Sequence, residues 1–173
     1  MIGGSSVRPV PAPRLQPAAR TEAAARRGEA VQRAVAEQWK GLTDTPLLEG
    51  YGLTETAAPS HSNPPDAPKQ QCLGIPFMSV DARVVDPDTL QELPTGEQGE
   101  IMVCGPQVFQ GYWQMPEKTA QEFTADGFFK TGDVGRVDAD GYVTIVGRSK
   151  DLIISGGYNV YPAEIEGYIN NLP

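Results

Sequence analysis

Residues 49–56, EGYGLTET, set a tyrosine between two glycines and follow it with a hydroxyl and a carboxylate. Gly50 and Gly52 carry no Cβ, so backbone there can approach a ligand closely. The Tyr51 ring offers a flat apolar face on which a heterocycle can stack. Thr54 supplies a hydroxyl donor suited to a phosphate oxygen, and Glu55 is a hard oxygen ligand suited to Mg²⁺. The same residues also suit a surface turn with incidental polar groups, and spacing alone does not choose between the two.

Two later segments could join that loop. In KTGDVGR, Asp133 follows a Thr-Gly turn, and a carboxylate held at a strand start can accept both hydroxyls of a ribose. A turn-capping aspartate is the simpler alternative. In GRSKD, Arg148 and Lys150 are two residues apart. An extended segment would point both the same way, toward one anion. A charged linker between domains is the competing reading, and the two are compatible.

The elements that must position these residues are short. Before residue 29 the chain is rich in Arg, Ala and Pro, without helical or strand period, and is read as a disordered leader over 1–28. Prolines at 9, 11, 13 and 17 would break the amphipathic helix of an organelle presequence. Val31, Val35 and Trp39, with Ala34 beside them, then form one apolar helix face. TPLLEGYG predicts a short buried strand ending in a glycine loop. SVDARVV alternates, with Val80, Ala82 and Val84 on one face. GEIMVCG predicts the next strand, and PEKTAQEF a short helix opened by Pro116. Residues 131–148 predict a hairpin turning at Asp138-Ala139-Asp140-Gly141. DLIISGGYNV predicts a second hairpin, turning at Gly156-Gly157. A helix opened by Pro162 follows, with Glu164 and Glu166 in its first turn and Ile165, Ile169 and Leu172 on one face.

Composition narrows the class. In 173 residues, 19 Gly and 16 Pro favour short strands and many turns over a helical bundle. Net charge is -8, unevenly spread: residues 1–40 carry +4 and residues 41–173 carry -12. So acidic a body argues against nucleic acid as a partner, because phosphate binding needs a basic footprint. Cys72 and Cys104 lack metal-site spacing and are too few for a disulfide framework, which makes a reducing cytoplasm the expectation. His61, beside SNPP, reads as a solvated loop residue rather than a base or ligand.

Taken together, EGYGLTET, KTGDVGRVDADGYVTIVGRSKD and IISGGYNVYPAEIE resemble consecutive motifs of the adenylate-forming acyl-CoA synthetases, in family order and at family spacing over residues 29–173. GPQVFQGYW and SGGYNVYPAEIE are most similar to bacterial long- or medium-chain fatty acid–CoA ligases. The resemblance implies a mixed α/β fold: part of the large domain over 29–147, with a β-barrel-like subdomain at 76–147. A hinge at 148–150 and the start of a small α+β lid over 151–173 would follow.

It also implies a reaction. A fatty carboxylate attacks the α-phosphorus of ATP, releasing pyrophosphate, and the thiol of coenzyme A then expels AMP from the acyl adenylate. By matching position, Gly50, Tyr51 and Gly52 would form an adenine shelf, Thr54 would donate to the α-phosphate and Glu55 would hold Mg²⁺. Asp133 and Arg148 would contact the ribose, Lys150 would lie at the hinge, and Gly156 and Gly157 would line the pantetheine path. A peripheral membrane contact is expected of the full-length enzyme.

The family's Ser/Thr/Gly-rich phosphate loop is not found upstream, and its late catalytic lysine would fall beyond Pro173, so the chain is expected to be a fragment without turnover of its own. A malonyl- or aryl-CoA ligase, a peptide-synthetase adenylation domain and a non-catalytic relic remain open. GLTE and GGYNVYPAEIE lean toward the CoA ligases.

Overall fold

The computed structural model describes Val31, residues 33–156 and residues 158–170. The expected leader over 1–28, Gly157 and Leu172 lie outside the described residues. Helix α1 spans Arg33–Thr43. Three two-residue strands, β1 (Gly50–Tyr51), β2 (His61–Ser62) and β3 (Ile75–Pro76), pair antiparallel in that order. Strands β4 (Asp81–Val85), β5 (Gly99–Cys104), β6 (Phe129–Val137) and β7 (Val143–Arg148) form an antiparallel meander, with α2 (Pro116–Glu122) between β5 and β6. The hairpin β8 (Ile153–Ser155) and β9 (Tyr158–Val160) leads into α3 (Pro162–Asn170).

The two larger pieces are stapled by backbone hydrogen bonds between Leu73–Gly74 and Val143. Leu73 donates to the Val143 carbonyl and Val143 to the Gly74 carbonyl, each at 2.9 Å. Gly74 can make this approach only without a Cβ: its φ is +89°, and a Cβ would lie 2.0 Å from the Ser62 carbonyl carbon. Around this staple Tyr51, Leu73, Val84, Ile101, Val103, Phe129 and Val143 form the main core.

The expected hairpin forms, and its turn chemistry is visible. The Asp138 carboxylate accepts the Asp140 and Tyr142 N–H groups at 2.9 Å, and Gly141 takes φ 83°. Lys69 closes over it, paired with Asp138 and Asp140 and set 4.1 Å from the Tyr142 ring centroid. Pro116 and Pro162 open α2 and α3 as expected.

Several expectations need correction. Helix α1 begins at Arg33, after Val31; Ala34 and Val35 are exposed and Ala36 is the buried residue. Val31 instead donates its N–H to Glu49 Oε2 at 2.9 Å. Strand β4 does put Ala82 and Val84 on one face, against the main core, but its opposite face is buried as well and Val80 precedes the strand. Val84 faces the main core, while Val85 packs with Met102 and Phe128 in a second cluster on the opposite face. Arg83 roofs that cluster, 3.7 Å over the Phe128 ring and paired with Asp126.

His61 is 0 % exposed, not a solvated loop residue. Its Nδ1 shares a 3.0 Å hydrogen bond with Ser60 Oγ, and burial pulls its pKa down to about 4. Strand β2 lies between β1 and β3, and that placement buries the ring.

Candidate functional site

The loop after β1 is organised from inside by a residue given no role in the sequence reading. Thr56, fully buried, accepts the Leu53 N–H at 2.8 Å and turns its hydroxyl toward the carbonyls of Ala58 and Leu53. This fixes a 3-10 turn over Thr54–Thr56 that ends at Ala57 with φ 53°. Thr54 is left exposed and Glu55 half-buried at the mouth. The need for glycine at 52 is met within the chain: a Cβ there would lie 2.8 Å from Pro59 Cα.

Asp133 reaches the same place from the meander. Opposite the single residue Ile101, strand β6 carries Thr131, Gly132 and Asp133, since Glu100 pairs with Val134 and Met102 with Lys130. Gly132 turns the bulge with φ 70°, its N–H donating to Glu100 Oε1 at 3.1 Å. Asp133 therefore lies in mid-strand, not at the strand start that was expected. The register pairs it directly with Arg148 on β7, which puts both side chains on one face.

The outcome is a buried triad. Tyr51 donates to Asp133 Oδ2 at 2.6 Å, and Arg148 Nε lies 2.9 Å from Oδ1. Asp133 is 1 % exposed, and burial raises its pKa despite the hydrogen bond from Tyr51 and the charge of Arg148. Burial and the neighbouring carboxylate likewise hold the Tyr51 phenol well above its usual range. The Arg148–Asp133 contact is an ion pair, with the Arg148 side chain 32 % exposed and Asp133 1 % exposed.

A cleft of about 1210 Å³ opens over this triad. It brings together Gly50, Tyr51, Gly52, Thr54, Glu55, Arg148 and Lys150, while Asp133 does not line it and touches it only through its contacts with Tyr51 and Arg148. Tyr51 departs from the expected stacking face: its ring is 5 % exposed and packs in the core. Arg148 and Lys150 do not share an extended segment, because Ser149–Asp151 forms a 3-10 turn, held to the bulge by Ser149 Oγ donating to the Gly132 carbonyl at 2.9 Å. Gly156 sits in the β8–β9 turn with φ 59°, away from the cleft, and Gly157 is outside the described residues.

Glu49, the acid that opens the motif, is structural. It is buried and receives the Val31 and Gln71 N–H groups, while burial raises its pKa. Among the described residues no three His, Cys, Asp or Glu side chains cluster as a metal site. The donor set at Glu55 still fits Mg²⁺ in one mode, a single carboxylate completed by phosphate oxygens and water.

An arginine paired with a buried acid and, on a tight loop, a hydroxyl and a carboxylate meet at this cleft. The chain belongs to the AMP-binding enzyme family, which matches residues 12–113. It is 48% identical over 136 residues to the long-chain-fatty-acid–CoA ligase of Salmonella typhimurium, covering 78% of this chain and 24% of that one. The solved structure of ATP-bound MatB from Rhodopseudomonas palustris superposes with a TM-score of 0.79 at 49% identity, covering 84% of this chain and 29% of that one. O-succinylbenzoate coenzyme A synthetase (MenE) from Bacillus subtilis, in complex with ATP and magnesium, gives 0.74 at 33% identity, with 82% and 30% covered. The chain thus spans about a quarter of the length of the curated relatives it matches.

Among the described residues no helix is long and apolar enough to cross a membrane. Sequence reasoning gave no role to Tyr112, whose hydroxyl donates to Glu55 Oε1 at 2.9 Å. Its signal was its place in GPQVFQGYW, a stretch that carries the family resemblance but names no role for it.

Proposed function

We propose that this chain supplies the ribose- and phosphate-facing wall of an acyl-CoA synthetase, which joins a carboxylic acid to coenzyme A at the expense of ATP. Asp133 accepts the ribose hydroxyls and Arg148 adds a second contact. Thr54 donates to the α-phosphate, and Glu55 faces a divalent cation. Gly50 and Gly52 line the cleft where the adenine would lie. Mg²⁺ carried with the nucleotide would neutralise phosphate charge and so ease the approach of an anionic carboxylate. The chain's own part is to hold the nucleotide, through a buried carboxylate paired with a partly exposed guanidinium at the cleft.

The observation that carries this reading is the pairing of Asp133 with Arg148 across β6 and β7, which joins a buried carboxylate at 2.9 Å to an arginine that lines the cleft beside Thr54 and Glu55.

Long-chain fatty acid is the favoured substrate, since that is the acid named for the first relatives; the name of the MenE structure keeps an aromatic acid as the runner-up. Lys150, in the 3-10 turn between β7 and β8, is the hinge position, and Gly156 and Gly157 meet the pantetheine arm once the lid has moved. The domain limits at 147, 150 and 151 belong to the same proposal, as do a cytoplasmic location and a peripheral membrane contact of the full-length enzyme.

Alone, the chain turns over no substrate, because this wall holds only part of the charge stabilisation that adenylation needs. Calorimetry with AMP tests the core of the reading. Asp133→Asn, nearly isosteric, should bind AMP at least about 10-fold more weakly than the unmodified chain, the loss of a charge-assisted hydrogen bond. Equal affinities, with unchanged thermal unfolding, would remove the ribose role.

A further inference from the structure

Tyr112 has no part in the function proposed above, yet its position is determined from several sides. Its N–H donates to Thr119 Oγ1 at 2.9 Å, tying it to α2. Gly111 lets it approach: φ is 146°, and a Cβ there would lie 2.5 Å from Thr119 Cγ2. The ring meets the Phe109 ring near edge-on at 4.8 Å, and Lys118 Nζ stands 4.3 Å from its centroid. Phe109 in turn donates its N–H to the Glu55 carbonyl at 2.8 Å, so the two segments are joined by backbone as well.

At the end of this assembly the phenol meets Glu55 Oε1 at 2.9 Å, inside the cleft. A tyrosine phenol is ordinarily protonated at neutral pH, so it donates this bond. Oε2 makes no hydrogen bond to the described residues.

We infer that Tyr112 is a positioning residue for Glu55: its hydroxyl holds Oε1 so that Oε2 is presented to a divalent cation arriving with a nucleotide. This rests on the reading of Glu55 as the cation-facing acid. A glutamate side chain can otherwise swing among rotamers, most of which carry the carboxylate away from the cation. A neutral phenol supplies the restraint without a charge that would compete with the metal. It acts as the outer partners of a metal ligand commonly do, fixing which lone pairs face the ion.

The test is calorimetric titration of the 173-residue chain with ATP, with and without Mn²⁺, in the unmodified protein, Tyr112→Phe, Glu55→Gln and the double variant. The gain in ATP affinity brought by Mn²⁺ should fall roughly 10-fold in Tyr112→Phe, in line with the usual loss when an outer partner of a ligand is removed. Metal-free ATP affinity should stay unchanged, and the double variant should lose no more than Glu55→Gln alone. A Tyr112→Phe chain with the full Mn²⁺ gain, beside a Glu55→Gln chain that has lost it, overturns this inference and leaves the Glu55 reading standing. Equal loss of metal-free and Mn²⁺-dependent affinity in Tyr112→Phe, or strictly additive losses, points to a structural role and also overturns it. If Glu55→Gln keeps the full gain, or the unmodified chain shows none, the Glu55 reading fails and this one falls with it.

Discussion

The meander and the C-terminal hairpin with α3 use the same apolar residue types and bury them very differently. Ile101, Met102 and Val103 on β5 are at most 1 % exposed, covered on both faces by the two clusters. Ile153, Ile154, Tyr158, Ile165 and Ile169 are all exposed, Ile154 at 74 %. One anchor holds the second region: Tyr161 packs against Val134 and Val146, its ring 3.1 Å from where a Gly147 Cβ would stand. Hydrophobic sequence is therefore not hydrophobic core; burial needs a second layer, and only the meander has one on each side. The triad sits in the well-covered region, and Lys150 and Gly156, for which hinge and pantetheine roles are proposed, sit at or beyond its edge. That split suits rigid binding beside a mobile segment.

The largest test of this contrast is Met102→Ala, which should cost about 3–4 kcal/mol in urea unfolding, the usual range for emptying a buried site. A cost under about 1 kcal/mol would mean the two-sided burial is not holding the sheet. Next comes His61. Its folded pKa of about 4 lies below the ordinary 6.5, so the fold favours neutral imidazole. The stability this contributes is present above pH 6.5 and is lost as pH falls through 4, up to about 3 kcal/mol for a shift of this size. Denaturant midpoints between pH 7 and 4 should fall less steeply for His61→Gln than for the unmodified chain; parallel slopes would put the ring in water. The smallest expected effect is Ile154→Ser, within about 0.5 kcal/mol because the side chain is already exposed. A loss close to that of Met102→Ala would show that the hairpin is covered in solution.

Much of the fold was legible where the determinants are local. Asp138 and Gly141 dictate their turn through hydrogen bonds within five residues, and Pro116 and Pro162 open helices because each fits the first helical position. Every proposed cleft residue was readable as a type, but not its surroundings. Thr56 and Glu49 stand in the same motif as Thr54 and Glu55, and nothing in their identity reveals that the first pair holds the loop while the second faces the cleft. His61 misled for a related reason. A two-residue strand has no period to detect, and its burial depends on two neighbours that are remote in sequence.

By itself the amino-acid order determined the family, the turn at Asp138–Gly141, the starts of α2 and α3, and the residue types available for nucleotide chemistry. Each of these depends on side chains acting on their own backbone or on motifs contiguous in the chain. Tertiary structure alone decided that Tyr51 turns inward to Asp133, that a three-residue bulge carries Asp133 to Arg148, and that Tyr112 meets Glu55. Those are contacts between segments up to 82 residues apart. Strand register and two-sided packing set them, and neither is written in any short stretch of sequence.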